Sequence, residues 1–248
     1  GRGLPGRGAV HGRRTRMLAA WKELAEWNDA RPAIAKDGRI QRRLAVVARD
    51  LGEFRAASDR YRRFVVDESS GTAVVGATER TTSIGDLQQT ANCLVRAAQQ
   101  EARQAGELSP ALRADLDLAL ELARTAASLL PDRESLGVLA SAYKRAATVD
   151  SERRDEFIVE AVANYRSADE RAADDRFGAE NALQLAILLG GEHAEWARSV
   201  LVAEGDRPTE LVEPEGAAKL RVDQRRADPV DFWTRADLGD RAVTRLLA

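Results

Sequence analysis

Small and large apolar residues recur at helical spacing along most of the chain, and this pattern constrains the fold more than any other feature. Segment 42–68 shows it first, as two predicted helices joined at Gly52, a residue that permits a tight turn. Small residues occupy positions where two helices press close, and large residues fill the gaps beside them. The inward faces carry Leu44, Ala45 and Ala48 on the first helix and Ala56, Ala57, Tyr61 and Phe64 on the second.

Similar helices return in segments 115–147, 156–172 and 179–204. Pro131 ends one of them, because proline cannot continue a helix, and Gly190 with Gly191 closes another. The arrangement resembles the tetratricopeptide pattern in outline. Since a single helical hairpin cannot bury its apolar face alone, we predict one continuous all-α, tetratricopeptide-like solenoid over residues 17–248. Its concave face should be lined by the first helix of each pair.

Two stretches interrupt this rhythm. Val66–Gly85 is predicted to be a loop with a short strand at 73–75, and Gly205–Pro229 an irregular connector with a short helix near 217–225. A polar insert at 148–156 separates two helices by more than a tight turn. A last helix, expected after Pro229, has no partner behind it, so we expect the chain to be a fragment of a longer protein.

Residues 1–16 are predicted to form a basic flexible linker. They contain five arginines, several glycines and no acidic residue. A basic arm that binds RNA or anionic lipid is the alternative interpretation.

The charge balance narrows the class of partner. The chain has 38 basic and 40 acidic residues and a net charge of −2, which argues against nucleic acid as the partner. No apolar run approaches the length that spans a bilayer, and there is no secretory signal. A single cysteine, Cys93, excludes an intramolecular disulfide. We therefore expect a cytoplasmic protein with no membrane contact, and no motif points to a cofactor or a metal.

The segment 80–248 carries residues in the order found in a known family. They are Glu134, Gly137, Tyr143 and Lys144, then Tyr165, then Gly178, Asn181 and Ala182, and finally Phe232, Trp233 and Ala236. In this order they resemble the TRAF-binding tetratricopeptide region of apoptosis signal-regulating kinases and of bacterial proteins with a CHAT (caspase-like) protease domain. The segment Asp86–Ala98 also resembles the helix before that region in the bacterial proteins. The chain departs from the pattern at Ala140, Phe177 and Glu180.

The resemblance implies a non-catalytic module for protein–protein interaction that controls an effector outside this chain, such as a CHAT protease in bacterial defence or signalling. Its partner would be a protein, a peptide or the adjacent effector domain. Two alternatives stay open. One is a substrate-docking (exosite) lobe of a protease, and the other, less favoured, is a helical array that binds nucleic acid.

Basic residues on the predicted first helices are the candidates for binding a partner. Arg42, Arg43 and Arg49 lie on one such helix, and Lys144 and Arg145 end another. Basic residues in a groove can clamp an acidic tail, although they are as often a solvated face. Asn181, a polar residue in an apolar helix, must find partners by capping, by bonding a neighbouring repeat or by contacting a ligand. We take Arg42, Arg49, Lys144, Arg145 and Asn181 as the partner-binding set.

Other candidates for chemistry have structural interpretations that we prefer. Cys93 is expected to be a buried small apolar residue, and His193 to lie in a solvated helical turn. In the stretch Arg60–Phe64, we expect the two aromatic rings inward and the arginines in solvent. Trp21 and Trp27 are six residues apart and should not share a stripe, whereas Trp196 and Trp233 are expected in the core.

Overall fold

The computed structural model describes residues 7–65, 83–171 and 177–203, and these form ten helices without any strand. The all-α prediction is confirmed for these ranges. The predicted strand at 73–75 and all predictions beyond residue 203, including Phe232, Trp233 and Ala236, lie outside them. The helices are α1 (Arg7–Asp29), α2 (Pro32–Ala35), α3 (Gly38–Asp50), α4 (Phe54–Val65), α5 (Ile84–Ala105), α6 (Pro110–Leu129), α7 (Arg133–Ala146), α8 (Arg154–Asp169), α9 (Phe177–Leu189) and α10 (Gly191–Ala203).

The chain divides into two compact units, Gly1–Leu129 and Leu130–Ala248, where we predicted one continuous array. In the first unit α3 packs on α4, α4 on α5 and α5 on α6, while α1 contacts α2 and α3. In the second unit α7 packs on α8, α8 on α9 and α9 on α10. Packing between neighbours along the chain is typical of helical hairpins, and the solenoid stays a prediction.

Helix α1 corrects the predicted linker. It begins at Arg7, so most of the segment 1–16 belongs to a helix that continues to Asp29. The segment has no apolar periodicity of its own, but one of its arginines, Arg14, makes a tertiary contact. Arg14 donates from Nε and Nη2 to the Leu51 carbonyl oxygen at 3.2 and 2.6 Å, and this bond holds α1 to the end of α3.

The predicted hairpin at 42–68 is confirmed as α3 and α4. Asp37 caps α3 by accepting from the backbone N–H of Arg39 at 2.8 Å. Gly52 lies in the turn with φ of +80°, a conformation that side chains disfavour. The predicted inward residues Leu44, Ala45, Ala48, Ala57 and Tyr61 are buried, and with Trp21, Ala25, Leu51 and Cys93 they form one core cluster.

Helix α5 starts with a capping box. The Ser83 hydroxyl accepts from the Asp86 N–H, and the Asp86 carboxylate accepts from the Ser83 N–H, each at 3.1 Å. Arg55 of α4 ties the next two helices together, because it donates to Glu101 on α5 and Asp115 on α6 at 2.6–2.9 Å. Charged side chains therefore cross-link α4, α5 and α6.

In the second unit, α7 follows Pro131 as predicted, with Asp132 capping it through the Ser135 N–H at 2.8 Å. The insert at 148–156 is shorter than predicted, since α8 begins at Arg154. Gly178 lets α9 approach α8 closely: a Cβ at this position would lie 2.7 Å from the Tyr165 carbonyl oxygen. The glycine in this position is thus required by packing.

Candidate functional site

The predicted partner-binding residues of α3 bond to α5. Arg42 donates from Nε and Nη2 to the two carboxylate oxygens of Asp86 at 2.9 and 2.8 Å, and its guanidinium lies 4.6 Å from the centre of the Phe64 ring. Arg49 donates to Gln89 of α5 at 2.7 Å and to Asp50 at 2.8–3.0 Å. Both side chains are about two-thirds covered. Their contacts stabilise the packing of α3 on α5.

The charge of Asp86 belongs to the same contact. Burial by itself raises the pKa of this carboxyl, but the hydrogen bonds from Arg42 and Ser83 outweigh it, and the net pKa lies below the ordinary value of 3.8. Asp86 is therefore ionised at neutral pH. It serves both as the partner of Arg42 and as half of the capping box of α5.

Lys144 and Asn181 lie together in the second unit, and both side chains are buried. Lys144 is only 4% exposed, and its Nζ donates to Oδ1 of Asn181 at 3.1 Å. This bond joins α7 to α9, and the side chain of Lys144, predicted to bind a partner, is buried at this contact. Arg145 is half-buried at the end of α7. Of the alternatives for Asn181, bonding to a neighbouring helix fits, with a side chain as the partner.

The predicted set is divided between the two compact units. Arg42 and Arg49 belong to the first unit, and the other three residues belong to the second. Arg42, Arg49, Lys144 and Asn181 each have a bond to a neighbouring helix that explains their position. The periodicity of the sequence predicts that the cationic side chains Arg42, Arg49 and Lys144 face solvent. It does not show the acceptors on neighbouring helices to which these side chains donate.

An open groove lies instead between α1 and α3. Three hydrogen bonds define how these helices run: Arg14 reaches Leu51, Trp21 Nε1 donates to the Leu44 carbonyl at 3.0 Å, and Gln41 donates to Asn28 at 2.6 Å. The bonded residues are 14, 21 and 28 on α1 and 51, 44 and 41 at α3, so residue numbers rise along one helix as they fall along the other. The two helices are therefore antiparallel. The short α2 closes one end of the hairpin. A furrow lined mainly by residues of these two helices lies between them.

The furrow, which we call the α1–α3 groove, encloses about 630 Å³ and is lined almost wholly by apolar surface. Eight large apolar side chains are exposed among the described residues, and five of them line this groove. An exposed apolar patch of this kind on a globular protein typically marks an interaction site. The five are Met17 (51% exposed), Leu24 (53%), Trp27 (48%), Ile40 (37%) and Val47 (41%).

A row of hydrogen-bonded polar side chains is buried at one end of the groove. Arg60 of α4 donates to Asp29 at 2.9 Å and to Oε1 of Gln41, and Gln41 in turn donates to Oδ1 of Asn28. Arginine has no acceptor, so it fixes the orientation of both amides along the row. The Asn28 Nδ2 donor, in a side chain only 1% exposed, has no acceptor among the described residues.

The side of the groove formed by α3 is positively charged. Arg39 and Arg43 are exposed, line the groove from α3 and form no ion pair with any residue of the described ranges. Arg31 covers the Trp27 ring, with its guanidinium 4.0 Å from the ring centre. The residues that line the groove include no acid. Apolar surface flanked by arginines is therefore the chemical character of this site.

The signal for the groove was present in the sequence. Met17, Ala20, Trp21, Leu24, Trp27 and Asn28 follow the i, i+3, i+4, i+7 spacing of a single helical stripe. The separation of six residues between the two tryptophans predicts different helix faces, whereas the stripe through Ala20 and Leu24 connects them. Trp21 is buried and Trp27 is half-exposed, yet both border the groove.

Chemistry elsewhere in the first unit has structural explanations. Cys93 is buried as predicted, and burial raises the pKa of its thiol to about 11, so it is a poor nucleophile. Tyr61 is buried as predicted, but Arg60 is buried as well, which corrects its predicted position in solvent. That stretch therefore lacks the exposed aromatic platform that binds single-stranded nucleic acid.

In the second unit, Trp196 is half-buried under the guanidinium of Arg166, which lies 4.4 Å from the centre of the Trp196 ring. The prediction that Trp196 lies in the core is therefore corrected. His193 lies half-buried in the first turn of α10. Across the described ranges, no group of three or more His, Cys, Asp and Glu side chains is placed to hold a metal ion. Within the same ranges no helix combines the length and apolar character needed to cross a membrane.

Comparison with known proteins gives no relative from which a role could be transferred. No family model, no curated protein and no solved structure matches the chain. The groove therefore has to be interpreted from its own residues.

Proposed function

We propose that this chain is a non-catalytic module for protein–protein interaction and that it binds a partner through the α1–α3 groove. The observation that carries the proposal is the concentration of exposed Met17, Leu24, Trp27, Ile40 and Val47 along one furrow. Burying a leucine or tryptophan side chain that is half-exposed stabilises a complex by about 1 kcal/mol or more. Five such side chains together contribute about 5 kcal/mol toward the cost of association.

The proposal includes control of an effector outside this chain, for which the CHAT protease is the example. This part is supported by the resemblance of residues 80–248 to the TRAF-binding tetratricopeptide region. The partner-binding surface that we propose is a different part of the chain, since the groove is built from residues 17–47. The effector and the groove-binding segment are thus separate elements of the proposal.

The test is selection from a displayed library of helical peptides that share an apolar stripe and have random residues beside it. We expect the intact chain to enrich peptides that the variant Leu24→Gln/Val47→Gln binds much more weakly. Glutamine keeps helix propensity and removes only the apolar contact. The measurement is the dissociation constant of each enriched peptide for the two proteins.

A matched control separates the groove from apolar surface in general. Leu129 and Val159 are 48% and 40% exposed, close to the values for Leu24 and Val47, and neither lines the groove. Leu129→Gln/Val159→Gln should leave peptide binding unchanged. Enriched peptides that bind both double variants equally well would contradict the proposed function, as would a selection that enriches no peptide.

A further inference from the structure

We infer that the segment held by the α1–α3 groove is an acidic amphipathic helix, with its apolar stripe in the furrow and its carboxylates facing Arg39 and Arg43. The inference rests on the proposed function and adds the chemistry of the partner. It follows from the length of the groove and the charge beside it.

The dimensions fit a short helix. The α1 stripe from Met17 to Asn28 contains twelve residues, and their eleven rises of 1.5 Å give a length of about 16 Å, which is about three helical turns. A furrow between two antiparallel helices receives a third helix by the packing of ridges into grooves. Anchors at i, i+3, i+4 and i+7 on the partner would meet the exposed side chains of both walls.

The charge selects acidic flanks. Arg39 and Arg43 lie four residues apart on one face of α3, so their guanidinium groups follow the groove one helical turn apart. Acids at i and i+4 on a docked helix have the same spacing. A lysine-rich helix would place like charges opposite them, and no acid in the groove lining offsets that repulsion.

The experiment uses three synthetic peptides of about 18 residues, long enough to hold three helical turns with capped ends. All share one leucine stripe and carry Glu, Gln or Lys at the two flanking positions that face α3. Binding to the intact chain is measured by fluorescence anisotropy at low and high salt. We expect the Glu peptide to bind about tenfold more tightly than the Gln peptide and the Lys peptide to bind most weakly, with differences that shrink in high salt.

Charge reversal supplies the decisive comparison. Arg39→Glu/Arg43→Glu should weaken the Glu peptide about tenfold and strengthen the Lys peptide by a similar factor, a gain that a misfolded variant would not give. Arg154→Glu/Arg198→Glu changes the net charge equally at exposed sites of the second unit and should alter neither. If all three peptides bind with equal affinity and the Leu24→Gln/Val47→Gln variant still loses them, the inference is overturned while the proposed function stands.

A second copy of the chain is the competing occupant. Sedimentation of the intact chain over a range of concentrations tests it directly. We expect the same monomer mass for the intact chain and for Leu24→Gln/Val47→Gln. A dimer that the groove variant converts to a monomer would overturn the choice of an acidic helix.

Discussion

The two sides of α3 differ in what covers them. On one side, Arg42 and Arg49 donate to acceptors on α5, and the contact is closed. On the other side, Ile40, Arg43 and Val47 remain exposed beside α1. Both sides combine arginine with apolar residues, so composition does not separate a packed helix face from a binding face.

The contrast is sharpest between two adjacent residues. Arg42 and Arg43 differ by about 100° around the helix, and this rotation turns one side chain toward Asp86 and the other toward the groove. The first arginine stabilises the fold, and the second is available to a partner. A cation therefore has to be judged by the acceptors that neighbouring helices bring to it.

The largest expected effect is on the closed side. Asp86→Ala removes both bonds to Arg42 and the carboxylate of the α5 capping box, and leaves the guanidinium without its buried partner. We expect a loss of about 3 kcal/mol in the free energy of unfolding, measured with urea. Arg43→Ala on the open side should change it by less than about 0.5 kcal/mol. Equal effects of the two substitutions would contradict the distinction between the two sides.

Acid should weaken the same contact. The folded-state pKa of Asp86 lies below its ordinary value of 3.8, so the unfolded chain binds the proton more readily. The stabilisation is thus fully present above that value and is lost as pH falls through the folded pKa. We expect the stability difference between the intact chain and Asp86→Asn to shrink below about pH 4. A difference that stays constant from pH 7 to pH 2.5 would show that the carboxylate charge contributes nothing.

The smallest effect on stability is expected in the groove. Leu24→Gln and Val47→Gln change side chains that are 53% and 41% exposed, so each should alter the unfolding free energy by about 0.5 kcal/mol or less. Thermal melts monitored by circular dichroism give the measurement. A loss of several kcal/mol would mean that these side chains support the fold, and the groove would lose its role as an open surface.

Much of the helical framework followed from the sequence. The apolar spacing at 44–64, the turn at Gly52 and the stop at Pro131 predicted helices that the structure contains. The start of α1 did not follow, because residues 7–16 have no apolar stripe and are held by an arginine bond to Leu51. Local periodicity carries no information about such a tertiary contact.

The site was less predictable than the fold. The sequence predicts Lys144 and Asn181 as partner-binding residues, whereas the bond between them across α7 and α9 makes them a buried pair. The stripe from Met17 to Trp27 was visible, yet an amphipathic stripe looks the same whether or not another helix covers it. Only the packing of α1 against α3 shows that this stripe remains open.

The indole N–H signals of the tryptophans in an NMR titration test the central claim most directly. The chain has four tryptophans; Trp27 lines the groove, and Trp196 lies in the second unit under Arg166. Adding the Glu-flanked peptide should shift the Trp27 signal and leave the Trp196 signal in place, with both assigned by Trp→Phe variants. A peptide that binds while Trp27 stays unchanged and Trp196 shifts would contradict the account.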